Sequence, residues 1–413
     1  DGTVRMGAVE FVTDFLEEST VGPELRALTK GKRMLLDDGV VEHVPTGEWR
    51  RVRGNAELDP PLAVAELAAA VTLLEYRPSD DGSRFAAFLQ NDTLVVNEVS
   101  ERENLMTGET VREVASHVVP VPAELLATRP LDMLLTSKGD QLYLAWGDGR
   151  VARFDLRDID APILAETTDF TPGGSKLTGL QFMYGEQSLL SGDSSGDVRA
   201  WFKLSSSTAK TADGVHMVEA HRFSKPGTAV QTISTSVRDK SFLVGRTDGT
   251  VTIYHMTSEQ RLGEINLPKG AQLIATQIAP KSDAILALTS NGSVSIWPIS
   301  SPHPETTWKS IFRKVWYEGY ASPEHTWQSS SGTDDFEPKF GLMPLIFGTL
   351  KATLYSMLFA VPVALFGAIY TSEFLDKNYR APVKSTIEIM ASLPSVVLGF
   401  IAALVLAPIV ENF

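Results

Sequence analysis

Seven histidines, 51 acidic residues and no cysteine set the chemistry open to this 413-residue chain. His43, His117, His216, His221, His255, His303 and His325 are dispersed, and even the His216/His221 pair lacks metal-ligand spacing on a predicted helix. Without cysteine, thiolate zinc sites, disulfide scaffolds and Cys nucleophiles are excluded. The carboxylates are numerous but show no catalytic pairing, and on an acidic surface their ordinary work is solvation. No catalytic residue, metal site or cofactor is therefore expected. Gly31-Lys32-Arg33 and Gly173-Gly174-Ser175-Lys176 both depart from the G-x-x-x-x-G-K-[ST] nucleotide loop. A net charge of -14 with no basic run excludes nucleic acid as the main partner, because phosphate binding needs clustered Lys and Arg. The remaining polar groups of interest lie in long apolar runs: Lys351, Ser356, and Ser392 and Ser395 on either side of Pro394.

Those runs must be positioned by membrane-grade elements. The mean hydropathy of -0.02 hides two environments. Residues 341–413 carry only Lys351, Glu373, Asp376, Lys377, Arg380, Lys384, Glu388 and Glu411, which cancel, so the whole net charge of -14 lies in residues 1–340. Leu354 to Ser372 is uncharged, as is Ile389 to Val410. Each is long enough to cross a bilayer, and Pro394, Gly399 and Pro408 are tolerated where neighbouring groups satisfy freed backbone. A pair of buried helices in a large soluble core is the competing reading. Lys377, Arg380 and Lys384 between the runs, against Lys339 alone in the 20 residues before Gly341, place the 373–388 loop in the cytoplasm. Residues 1–340 then face the other side, the periplasm in a bacterium.

The acidic body repeats a unit of two alternating apolar runs about an Asp/Asn-Gly type turn. It appears at Asp38-Gly39, Asn91-Asp92, Asp148-Gly149, Gly196-Asp197, Asp248-Gly249 and Asn291-Gly292, and Asp1-Gly2 opens the chain as the second half of another, in mid-pattern, as in a fragment. The spacing suits four-stranded blades. The expected fold is an all-β β-propeller of about seven blades, WD40-like but diverged, since neither a Trp-Asp nor a Gly-His pair occurs. A β-sandwich or an open stack of meanders is the alternative. The expected domains are a propeller over 1–300, an amphipathic junction over 301–340 and the first two spans of a membrane domain over 341–413. In the junction, Trp308, Ile311, Phe312, Val315 and Trp316 make a helical apolar stripe for the membrane interface or for packing under the propeller. Asp59 to Ala70 reads as a short helix in a connection.

The wording Pro344-Leu345-Ile346-Phe347-Gly348-Thr349-Leu350, Pro362 through Tyr370, and Leu393-Pro394-Ser395-Val396-Val397 with Gly399-Phe400 resembles the start of the membrane core of phosphate-specific ABC transporter permeases of the PstC type. Lys314 to Tyr320 and Trp327 to Ser331 look like the long variant of that permease, with its large periplasmic insertion. The resemblance covers residues 308–413. It implies α-helical transmembrane segments of an ABC permease core in the bacterial inner membrane, and phosphate import. The implied partners are a second permease subunit, an ABC ATPase dimer that hydrolyses the ATP, a periplasmic phosphate-binding protein and the lipid bilayer. For an anionic cargo the substrate-pathway candidates are Ser392, Pro394, Ser395 and Lys351, donors or freed backbone rather than carboxylates. Hydrogen bonding within or between helices is the commoner role for such serines. An acidic body argues against anion capture by the propeller surface and for protein docking or regulation.

Overall fold

Gly149 shows how the body is built. It turns the chain at φ +99, and a Cβ there would lie 1.9 Å from Thr171 Oγ1, so only glycine closes this hairpin unstrained. Beside it, Asp148 Oδ1 accepts the Arg150 N–H at 3.2 Å, the Asx contact expected of a tight turn. The computed structural model describes residues 4–5, 7–36, 39–58, 69–79, 82–103, 110–206, 209–225, 227–268, 270–332 and 336–411.

Five such turns join the second and third strands of successive antiparallel meanders. These are β5 (Val71–Ser79), β6 (Gly82–Leu89), β7 (Leu94–Glu103) and β8 (Thr110–Val119); β9 (Asp132–Leu135), β10 (Gln141–Ala145), β11 (Arg150–Asp155) and β12 (Ile163–Asp169); β13 (Leu177–Phe182), β14 (Ser188–Asp193), β15 (Asp197–Ser205) and β16 (Val215–Ser224); β17 (Val230–Thr235), β18 (Ser241–Arg246), β19 (Thr250–His255) and β20 (Gln260–Asn266); and the three-stranded β21 (Leu273–Ile278), β22 (Ala284–Thr289) and β23 (Val294–Pro298).

Strand alternation stacks these sheets face to face. In β10, Leu142 and Leu144 enter a core shared with Phe88, Leu94 and Val96, whereas Tyr143 and Ala145 enter the next core with Leu180, Phe182 and Leu189. In β18, Phe242 and Val244 face the preceding sheet and Leu243 the following one. A strand buried on both faces needs no polar partner side, which is why β10 and β18 carry the unbroken apolar runs 142–145 and 242–244. The first strands pack in the order β5, β9, β13, β17, β21, and no comparable packing links β21 back to β5 among the described residues.

The chain's first sheet departs from the repeat. β1 (Gly7–Leu16), β2 (Arg33–Leu36), β3 (Gly39–His43) and β4 (Trp49–Leu58) assemble in the order β1-β4-β3-β2, with α1 (Pro23–Arg26) between β1 and β2. β2 and β3 therefore pair as an edge hairpin, Asp38 of the expected turn lying outside the described residues, and Phe11, Phe15 and Leu35 are left largely exposed. Among the described residues, the expectation of about seven blades is corrected to five meanders of one pattern and one sheet of different connectivity. The turn motif was counted, but the motif does not fix which strand closes each sheet. Asp1-Gly2 and most of the 59–70 stretch lie outside the described residues.

The chain divides into two compact units, one comprising residues 1–310, 315–324 and 330–338, the other 311–314, 325–329 and 339–413. In the first, the junction binds the sheets as an irregular strap. The predicted helix stops early: α2 spans Trp308–Phe312, and Val315 instead forms an antiparallel bridge with Glu324. Trp316 packs on the core beside Phe202, which is why the stripe of apolar residues breaks off before its last members. In the second unit, β24 (Trp327–Gln328) pairs with β25 (Lys339–Phe340) ahead of the long helices.

Candidate functional site

The long helices begin with α3 (Met343–Ile369), which runs on through a π-turn at Tyr370–Phe374. Its 32 residues to Phe374 form one helix long and apolar enough to cross a membrane. Thr349 and Thr353 turn their hydroxyls back to the carbonyls of Ile346 (2.9 Å) and Thr349 (2.7 Å), so neither hydroxyl proton is left without an acceptor on an apolar surface. Lys351 lies on this helix, its ammonium 5.8 Å from the Tyr355 ring.

The segment expected as a cytoplasmic loop is largely helical. α4 (Lys377–Ser392) is capped by Asp376, whose Oδ1 accepts the Asn378 N–H at 2.9 Å, and it carries Lys377, Arg380 and Lys384. Asp376 is a strong N-cap in a polar sequence, so the run turns helical as soon as a cap is offered. The expected single second span, 389–410, is interrupted as well. α4 ends at Ser392, and Leu393 and Pro394 are extended (ψ 136 and 130). The chain then restarts as α5 (Ser395–Ile401), a π-turn at Ala402–Leu406 and α6 (Ala407–Glu411), bent 94° from α4. Pro394 has no N–H for the helix and forces its predecessor out of the α region, so the break falls where the ring demands it.

Three of the four pathway candidates meet at this break. Ser392 Oγ donates to Ile389 O at 2.6 Å and is committed to its own helix. Pro394 O accepts from Val397 and Leu398, opening the next turn, and Ser395 is the first residue of α5. Among the described residues no hydrogen bond or ion pair joins Lys351 to them. Among the described residues, the break leaves the Ser395 hydroxyl without a hydrogen-bond partner, beside backbone groups freed from the helix ladder.

In the sheet unit, the polar clusters escaped sequence reading because their members are far apart in the chain. Lys240 Nζ donates to Glu318 Oε2 and to Tyr184 O, both at 2.5 Å, and Ser188 Oγ donates to the same Glu318 carboxylate. His221 bridges Glu259 (2.9 Å) and the Trp316 carbonyl (3.0 Å). The hydrogen bond from His221, with Lys309 beside it, holds the Glu259 carboxyl at about 2. Burial pushes His255 down to about 4, and its Nδ1 lies 2.9 Å from Ser258 Oγ. Among the described residues no three histidines or carboxylates gather as a metal site. The available signal was Glu318 and Trp316 inside an aromatic junction, too sparse to name their partners.

No protein-family profile matches the chain. It is 38% identical over 79 residues, 19% of this chain, to the probable ABC transporter permease protein YqgH of Bacillus subtilis, covering 26% of that protein. Against the phosphate transport system permease protein PstC of Xylella fastidiosa the identity is 34% over 77 residues, 19% of this chain and 24% of the relative. Against PstC of Mesorhizobium japonicum it is 27% over 132 residues, 32% of this chain and 36% of the relative. The chain thus spans between a quarter and about a third of the length of these curated relatives, and it contains a PstC-like permease region. Among solved structures, the β-propeller domain of Cps50 (Swd1) from Myceliophteria thermophila aligns at TM-score 0.40 and 16% identity, over 52% of this chain and 67% of that one.

Proposed function

We propose that this chain belongs to a membrane permease subunit of an ATP-driven phosphate importer. Residues 1–300 form a periplasmic propeller-type domain for docking or regulation, 301–340 the junction, and 341–413 the first two spans of the permease domain. The observation that carries the reading is the similarity to phosphate transport permeases, together with one apolar helix of 32 residues and a second helical run broken at Pro394. The chain takes no chemical step. ATP is hydrolysed by a partner ATPase dimer, a second permease subunit completes the pathway, and a periplasmic phosphate-binding protein delivers the cargo. At the break, Ser395 and the free backbone groups beside Pro394 line the route, with Ser392 stiffening the end of α4 and Lys351 as a cation on α3.

The test is phosphate-uptake complementation by the complete gene in a strain lacking its own permease. Restored uptake, reduced by Pro394→Leu, is the expected result. Failure to restore uptake while the protein inserts correctly returns the chain to a membrane-anchored binding platform.

A further inference from the structure

The first strands of the five stacked sheets converge. Arg77 of β5, Thr136 after β9, Phe182 of β13, Thr235 of β17 and Gln277 of β21 all line one cavity of about 550 Å³. That volume lies within the range of about 300–1,000 Å³ usual for small-molecule sites. Its charged groups fall into two sets. Asp140 accepts the Thr136 hydroxyl at 2.6 Å, and Glu186 clamps the Ser137 N–H and hydroxyl, each at 2.7 Å. Arg77 is taken up by Glu75 at 2.8 Å and by the Leu135 carbonyl at 2.7 Å. Lys138 and Lys203 also line the cavity, yet among the described residues neither ammonium has a hydrogen-bond or ion-pair partner.

Lys203 is the more telling of the two. It follows Ala200, Trp201 and Phe202 in a strand buried from its start to Phe202, and is itself half-buried. Desolvation pushes its pKa down, reinforced by repulsion from Arg153 and only partly offset by the Asp140, Glu186 and Glu318 carboxylates, none of which is hydrogen-bonded or ion-paired to its ammonium. A bound anion would offset that desolvation. Gln181 and Gln187 add side-chain amides to the same lining. The chain's charge of -14 does not oppose this, because fields from distant charges are screened beyond about 8 Å at physiological salt, and the groups inside the cavity decide.

We propose that this cavity binds a small dianion of the phosphate or dicarboxylate class, held by Lys138 and Lys203 with the amides of Gln181 and Gln187. The proposal departs, at this one cavity, from the sequence-based expectation against anion capture by the propeller surface. The inference does not rest on the permease reading, since every residue it uses lies in the sheet unit.

The experiment is isothermal titration calorimetry on the full chain in detergent, with inorganic phosphate and succinate as separate probes. At least one probe should saturate a single site. Lys203→Met should weaken it about tenfold, the effect of losing roughly 1.4 kcal/mol of contact. Lys203→Arg should retain binding, and Lys138→Glu, on an exposed turn where folding is not at stake, should weaken it even if Lys203→Met fails to fold. Which probe binds tells inorganic phosphate from carboxylate ligands. Absence of heat with both probes overturns the proposal, as does binding that survives Lys138→Glu and Lys203→Met. Binding abolished by Lys351→Ala places the anion in the helical unit and overturns it equally, while leaving the permease reading intact.

Discussion

Glu75 and His255 are two buried titratable groups whose effects on stability oppose each other. Burial lifts the Glu75 carboxyl from its ordinary 4.5 to about 7, against the pull of Arg77 and with repulsion from Asp132 and Glu186. A carboxyl that holds its proton more tightly folded than unfolded contributes stability in full below pH 4.5, and that contribution is withdrawn as pH rises towards 7. His255, lowered from 6.5 to about 4, runs the other way: its contribution is complete above pH 6.5 and is lost as pH falls towards 4. The two oppose each other at mildly acidic pH, and just above 6.5 Glu75 alone is still changing. The stability of the full chain should therefore fall between pH 6.5 and 8, and Glu75→Gln should flatten that fall by about 0.8 kcal/mol. An identical slope in the variant would assign the pH dependence elsewhere. The Lys240–Glu318 pair gives a second residue-scale expectation. Lys240 is 3% exposed, so Lys240→Met strands the Glu318 carboxylate and should cost about 3 kcal/mol in urea unfolding, part of it recovered in Lys240→Met/Glu318→Gln. A double variant no more stable than the single would mean the lysine acts through packing alone.

At the scale of elements, turns were legible and interruptions were not. Asp148-Gly149 and Asp248-Gly249 announce their hairpins because few residues tolerate positive φ, a local fact that sequence carries. The sequence does not carry what surrounds each turn. A Cβ on Gly249 would meet its nearest atom at 3.6 Å, whereas on Gly149 it would strike the Thr171 hydroxyl. Gly249→Ala should thus cost only the left-handed backbone term, about 1 kcal/mol. Gly149→Ala should cost clearly more, about 2 kcal/mol or above once the clash is added. Equal losses in denaturant melts would show that Thr171 yields freely. The junction stripe misled because periodicity alone cannot register the bridge that pulls Val315 to Glu324. Proline in the second apolar run misled for a related reason: membrane helices often absorb a proline, so its presence decides nothing until the backbone is seen. Pro394→Ala restores an N–H within reach of the Met390 carbonyl and should let α4 run into α5. Spin labels at Lys384→Cys and Ala407→Cys would then move apart in a dipolar distance measurement. An unchanged distance would show that the 94° bend is held by something other than the proline.

For the whole molecule, the near-zero mean hydropathy is the sum of two solvents. The stacked sheets bury Trp146, Phe154, Phe170 and Phe242 completely, so the acidic half closes its own core in water. α3 does the opposite, leaving Phe347, Leu350, Leu354, Phe359, Val363 and Phe366 more than 60% exposed along one helix, a surface that only lipid or further helices can cover. That contrast was readable from charge placement alone, since charge is excluded from lipid whatever the fold, whereas the count of sheets and the cavity lined by their first strands depend on pairings between distant strands. The proposed orientation follows from the same segregation, with Lys377, Arg380 and Lys384 on the cytoplasmic side of α3. Because the chain has no cysteine, single substitutions report on topology without background. In intact spheroplasts, a membrane-impermeant maleimide should label Asp160→Cys, an exposed residue of the sheet unit, and should leave Lys384→Cys unlabelled until the membrane is permeabilised. Labelling of Lys384→Cys in sealed spheroplasts, with Asp160→Cys protected, would invert the orientation. The sheet domain would then sit in the cytoplasm, where a periplasmic phosphate-binding protein could not reach it.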